Sequence, residues 1–147
     1  MRDEFENMET ITGRKLYEGV IIAGFGGQGI VLSGKLLAQS AMNDGREVTF
    51  IPAYGAEVRG GTSNCTVIIS DEPIACPIIS NPDSLIAMNG ASFDKFSPRL
   101  KKAGLIVYNS SLIDDVSGLD GSIKVTAVPA DEIAVELGNR KIANMVM

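Results

Sequence analysis

The chain has no histidine, no tryptophan and only two cysteines, Cys65 and Cys76, among its 147 residues. Without histidine there is no Ser-His-Asp or Cys-His nucleophile pair, no imidazole general base and no histidine ligand for zinc. Two cysteines are too few for a disulfide framework, a four-ligand metal set or an iron–sulfur cluster held by four thiolates. No apolar run approaches the roughly 18 residues of a membrane span. A basic excess is also missing: 13 Lys and Arg stand against 18 Asp and Glu, a net charge of −5. Displacing counterions from nucleic acid needs the opposite balance. These absences predict no catalytic residue, no metal site, no nucleic-acid partner and no membrane partner for this chain, and they disfavour an independent hydrolase.

What remains is ordinary globular composition, 45% hydrophobic and 21% charged, in a length that suits one domain. Residues 1–16 form a polar lead-in, with Asp3, Glu4, Glu6 and Glu9 against Arg2, Arg14 and Lys15. It has no apolar stretch of the kind a secretory signal needs, so a cytoplasmic location is expected. Residues 17–147 read as a single three-layer α/β/α domain with a mainly parallel, Rossmann-like sheet. Tyr17 to Ala23 is the first strand, apolar enough to be buried on both faces. Ile30, Gly34, Leu37, Ala38, Ala41 and Met42 then mark one face of a helix from Ile30 to Asn43. Gly34 and Ala38 on that stripe would let the helix come close to the sheet.

Glu47 to Ile51 is a second strand ended by Pro52, and Asn64 to Ser70 a third. Asp71-Glu72-Pro73 is turn chemistry, so Ile74 to Ile79 is a candidate for the returning half of an antiparallel edge hairpin, with Pro77 confining it to an edge. Ser84 to Met88, Leu105 to Asn109 and Ile123 to Val128 are further strands. Helices are predicted over Ala91 to Lys102, where Pro98 is a potential break, and from Pro129 and Asp131 to Gly138. The apolar ending Met145-Val146-Met147 carries no cap, and a further element is expected after it.

Two stretches stand out for function. The first is Gly24-Phe25-Gly26-Gly27-Gln28-Gly29, set between the first strand and the first helix. The plain reading is close packing of a strand–turn–helix unit. Gly24, Gly26 and Gly29 also match the G-x-G-x-x-G dinucleotide pattern in its required context. That pattern needs an acid at the carboxyl end of the second strand, where Ile51-Pro52-Ala53 has none, while Glu47 lies at the wrong end. A phosphate at the helix N-terminus remains compatible, because free N–H groups and the helix dipole favour any anion there. A P-loop is excluded. Gly29 to Lys35 has its spacing, but Leu36 replaces the Ser or Thr that would hold magnesium, and the segment lies within the helical stripe.

The second stretch is Tyr54-Gly55-Ala56-Glu57-Val58-Arg59-Gly60-Gly61-Thr62-Ser63, which follows the second strand. In a parallel sheet it belongs on the same edge as the first glycine turn, outside the strand carboxyl ends. Glu57 and Arg59 are open to two readings there, as a surface ion pair of little energetic weight or as ligand-facing charges.

Together the two stretches resemble the gamma subunit, or gamma domain, of the 2-oxoacid:ferredoxin oxidoreductases acting on pyruvate, 2-oxoisovalerate or 2-oxoglutarate. The resemblance runs on through Ser63-Asn64-Cys65, Asn81-Pro82-Asp83, Pro129-Ala130 and Asn144-Met145, and relative to its pattern the chain looks truncated after Met147. It implies a complex that decarboxylates a 2-oxoacid oxidatively, forms acyl-coenzyme A and passes electrons to ferredoxin. Thiamine diphosphate, magnesium and [4Fe-4S] clusters are then expected on alpha, beta and, where one exists, delta partner subunits, with coenzyme A as co-substrate. The isolated chain would be inactive and would bind no cofactor alone. Its own contribution would come from Gly24, Gly26, Gly27, Gln28 and Gly29 with Tyr54, Gly55, Glu57, Arg59, Gly60, Gly61, Thr62 and Ser63, as substrate or coenzyme A contacts or as a subunit interface. The reading from a different class is a stand-alone nucleotide-binding or regulatory module that uses only the Gly24–Gly29 turn.

Overall fold

A computed structural model describes residues 15–53 and 62–147 of the chain. Within them one sheet forms from β1 (Tyr17–Phe25), β2 (Glu47–Pro52), β3 (Thr62–Ser70), β4 (Ser84–Ala87), β5 (Leu105–Asn109) and β6 (Lys124–Val128). The strand order is β2-β3-β1-β4-β5-β6. β1, β4, β5 and β6 are parallel, whereas β3 runs antiparallel to both β1 and β2. The α/β class and the mostly parallel sheet agree with the sequence reading. The antiparallel edge pair exists too, but it joins β3 to β2 and not to residues 74–79.

The reason is geometric. β3 spends one hydrogen-bonding side on β1 and the other on β2, so no ladder position is left for a returning strand. Residues 74–79 run instead as irregular chain held from outside. Arg99 donates from Nε to the Ser80 carbonyl at 3.0 Å and from Nη2 to the Ile79 carbonyl at 3.2 Å.

Four helices matter for the site: α1 (Ile30–Asn43), α2 (Gly90–Phe96), α3 (Ala130–Glu136) and α4 (Ala143–Val146). α2 is shorter than its hydrophobic spacing suggested. It gives way to a single 3-10 turn, Ser97–Arg99, with Pro98 at the start, where a ring without an N–H is tolerated. Its beginning is fixed by Asn89, whose side chain accepts a hydrogen bond from the Ser92 N–H.

Alternation along the strands divides the core between the two sheet faces. Val20 and Ile22 join Ile30, Ala38, Cys65, Val67 and Met88 on the face covered by α1. Ile21 and Ala23 join Leu85, Phe93, Phe96 and Ile106 on the α2 face. The approach of α1 to the sheet depends on Gly34, where an added Cβ would lie 2.3 Å from Cys65 Sγ and 2.9 Å from Phe50 Cε2. Among the described residues no helix is long and apolar enough to cross a membrane.

Candidate functional site

The carboxyl ends of the parallel strands converge on one edge of the sheet. β1 delivers Phe25 there, followed by the glycine turn and α1. In the β1–β3 ladder Phe25 lies opposite Thr62 and Gly24 opposite Ser63. On the other side of β3 the Ala53 N–H donates to the Asn64 carbonyl at 2.9 Å. The chain therefore leaves β2 and returns at β3 on the same edge as the glycine turn, as the sequence predicted. Thr62 and Ser63 are buried at that edge. Tyr54, Gly55, Glu57, Arg59, Gly60 and Gly61 lie outside the described residues.

The turn is shaped by its own glutamine. The Gln28 N–H donates to the Phe25 carbonyl at 3.2 Å, and Gln28 Oε1 accepts from the Phe25 N–H at 2.6 Å. The same oxygen accepts from Asn89 Nδ2 at 3.1 Å, which ties the turn after β1 to the turn after β4. Gly29 caps α1 at φ +74°, a left-handed conformation that glycine adopts without penalty. A side chain there would also meet Asn144, whose Nδ2 would lie 2.5 Å from the new Cβ. No side chain caps α1. The first N–H groups of that helix lack helical acceptors and face the edge as an anion-compatible terminus.

Three residues of this edge were not singled out from sequence. Asn89, 2% exposed, joins Gln28 to the start of α2. Lys95 on α2 donates from Nζ to Thr62 Oγ1 at 3.3 Å and lies 5.4 Å from the centre of the Phe96 ring. Asn109, fully buried at the end of β5, accepts from the Ala130 N–H at 3.1 Å and the Ser111 N–H at 3.2 Å, and donates to Asp131 Oδ2 at 2.6 Å. The signal was present in the sequence as an asparagine at, or two residues after, the end of a parallel strand. That pattern is common to loops and too short to separate from them.

Burial alone would raise the Asp131 carboxyl. The Asn109 amide and the Arg140 guanidinium at 2.9 Å outweigh it and hold the group below the ordinary aspartate value of 3.8. A depressed folded-state pKa contributes stability that is complete above the unfolded value and lost as pH falls through the folded one. The chain is therefore expected to lose stability between about pH 4 and the lower folded value. Asp131→Asn should flatten that limb of a urea midpoint-against-pH profile, and an unchanged profile would show that the carboxylate is not responsible.

The two cysteines play no visible part at this edge. Burial pushes the Cys65 thiol up to about 11, against a smaller lowering by the Gly34 backbone, so it packs as an unreactive group. Cys76 is exposed on the irregular segment. Among the described residues no three His, Cys, Asp or Glu side chains cluster as metal ligands. They do not fit an iron–sulfur cluster. A dinucleotide site is not favoured either. Glu47 pairs with Ser70, which pairs with Tyr17, placing the acid at the end of the sheet opposite the glycine turn.

Comparison with known proteins completes the site's context. Residues 19–147 match the family described as pyruvate ferredoxin/flavodoxin oxidoreductase. Ketoisovalerate oxidoreductase subunit VorA of Methanothermobacter thermautotrophicus is 44% identical over 128 residues, which are 87% of this chain and 26% of that one. The chain thus spans about a quarter of that relative's length. A keto/oxoacid ferredoxin oxidoreductase gamma subunit from Geobacter sulfurreducens superposes with a TM-score of 0.74 at 31% identity, over 87% of this chain and 71% of that one. A 2-oxoglutarate:ferredoxin oxidoreductase from Magnetococcus marinus, solved with 2-oxoglutarate, coenzyme A and succinyl-CoA bound, superposes with a TM-score of 0.81 at 25% identity, over 90% of this chain and 23% of that one.

Proposed function

Since the chain belongs to the pyruvate ferredoxin/flavodoxin oxidoreductase family, we propose that it serves as the gamma part of a multi-subunit 2-oxoacid:ferredoxin oxidoreductase in the cytoplasm. The complex would oxidatively decarboxylate a 2-oxoacid, form an acyl-coenzyme A and reduce ferredoxin. Thiamine diphosphate, magnesium and the [4Fe-4S] clusters would sit on alpha and beta partners, with a delta partner where one exists. Two cysteines and no histidine leave this chain unable to supply four thiolates or an imidazole. Its share of the work is to bind and orient.

The observation that supports the reading is the pairing of Phe25 with Thr62, which sets the start of the glycine turn beside the first residues of β3 on one sheet edge. In this proposal the N–H groups of Gly26, Gly27 and Gly29 face an anionic group, while the Gln28 N–H closes the turn on the Phe25 carbonyl. Arg59 pairs with a carboxylate or phosphate of the 2-oxoacid or coenzyme A, with Tyr54, Gly55, Glu57, Gly60 and Gly61 shaping the approach. Fold alone would leave the stand-alone nucleotide module open, but the family match extends over both motif stretches and does not favour it.

The test is co-expression with the neighbouring subunits, followed by viologen reduction with a panel of 2-oxoacids and coenzyme A. Arg59→Ala is expected to raise KM for one of the two substrates about tenfold or more, the worth of one charge-assisted hydrogen bond. Unchanged KM values with normal assembly would remove Arg59 from the substrate region. Loss of partner co-purification at unchanged turnover would make the loop an interface instead. Tight binding of NAD or FAD to the isolated chain would favour the module.

A further inference from the structure

The side-chain oxygen of Gln28 carries two donors, the Phe25 N–H at 2.6 Å and Asn89 Nδ2 at 3.1 Å. An amide oxygen offers two lone pairs, so both are taken. Neither donor can turn into an acceptor. The first is backbone, and Asn89 is oriented by the Ser92 N–H, which its Oδ1 accepts at 2.9 Å. With Nε2 in place of Oε1 the Gln28 amide would face two donors, so its orientation is set. Gly24 leaves the room for it, since an added Cβ there would lie 2.6 Å from Gln28 Oε1. The direction of Nε2 is thereby fixed as well. Among the described residues nothing accepts a hydrogen bond from it. Two oriented N–H groups on a half-buried side chain are left over from the turn.

Turn formation alone does not need them. A glutamate at this position would offer the same acceptor oxygen, and a carboxylate beside a helix N-terminus is well tolerated. What glutamine adds is the pair of donors. Their surroundings favour an anionic oxygen as the acceptor. The opening N–H groups of α1 look onto the same edge. Positive charge is there too: Phe25, whose N–H holds the amide, is the ladder partner of Thr62, and the Thr62 hydroxyl accepts from Lys95 Nζ at 3.3 Å. We propose that the Gln28 side-chain amide donates directly to a carboxylate or phosphate oxygen of a substrate bound at this edge, with Asn89 positioning it. The assignment rests on the functional reading above, which supplies the two anions, the 2-oxoacid carboxylate and the phosphates of coenzyme A.

Gln28→Glu separates the two roles of this side chain. It keeps the acceptor for Phe25 and Asn89 and puts a negative charge where the donors were. The measurement is steady-state viologen reduction by the co-expressed complex, with the 2-oxoacid and coenzyme A varied in turn. The variant is expected to assemble as the wild type does and to raise one KM about tenfold or more, with kcat changed much less. A rise confined to coenzyme A assigns the acceptor to a phosphate, and one confined to the 2-oxoacid assigns it to the carboxylate. Asn89→Asp is the second variant. Aspartate keeps the α2 cap but turns an oxygen toward Gln28 Oε1, so the same KM should rise by a smaller factor. Unchanged KM values in an assembled Gln28→Glu complex, or a drop in kcat alone, would overturn the proposal. If Gln28→Glu does not assemble, unchanged KM values in Asn89→Asp overturn it in the same way. A wild-type complex inactive with every 2-oxoacid would overturn the functional reading and this assignment with it, whereas an active complex with insensitive variants overturns the assignment alone.

Discussion

Asn109→Leu is expected to cost about 3–6 kcal/mol, enough to unfold much of a domain whose stability lies in the usual range of about 5–15 kcal/mol. Leucine has the same branched heavy-atom skeleton as asparagine but offers no polar atom. The substitution strands the Ala130 N–H, the Ser111 N–H and one oxygen of Asp131, all served by a single fully buried amide. A buried group left without a partner costs on the order of 1–3 kcal/mol, and because Ser111 and Asp131 are only partly buried the total stays below three full penalties. The damage should spread, because this amide joins the end of β5 to the start of α3 and, through Asp131, to Arg140. Urea unfolding followed by circular dichroism is the measurement. A leucine variant within 1 kcal/mol of the parent would show that water replaces the amide and that the edge is looser than its hydrogen bonds imply.

The second large effect is expected at Gly34. Alanine there places a Cβ 2.3 Å from Cys65 Sγ and 2.9 Å from Phe50 Cε2, and both neighbours are packed against the sheet. α1 must lift or β3 must shift. Overpacking of this kind costs about 1–3 kcal/mol for one added carbon, and Gly34→Val should exceed that and yield insoluble chain. Cys65→Ala in the Gly34→Ala background should recover part of the loss by vacating the space that the new methyl needs. Absence of any recovery would locate the strain at Phe50 instead. The pair forms a cycle in which the coupling, and not either single loss, reports the contact.

Much of the architecture follows from residues that act locally. The run from Val20 to Ala23 could only be an interior strand, and the spacing of Ile30, Gly34 and Ala38 gave a helix that reappears as α1 with the same bounds. The edge on which the glycine turn lies, and on which the chain leaves β2 and re-enters at β3, was also legible from the chain order strand–glycine turn–helix and strand–glycine loop–strand. What escaped was set by pairing. Whether residues 74–79 become a strand depends on a free ladder side of β3, and β2, the strand that precedes β3, has already taken that side. Asn89, Lys95 and Asn109 escaped for a related reason. Their partners are Gln28, Thr62 and Asp131, 61, 33 and 22 positions away, and no window of sequence contains both members of those pairs.

The half-buried apolar side chains of β4 and β5 also affect calorimetry. Unfolding a chain raises its heat capacity in proportion to the apolar surface newly exposed to water, on average about 12–15 cal/mol/K per residue. Leu105, Val107 and Ile86 already meet water in the folded chain, so they add less to that increment than core residues do. The isolated chain should fall below the per-residue average, with a correspondingly small urea m-value. Its stability should vary less with temperature than that of a fully wrapped domain of the same length.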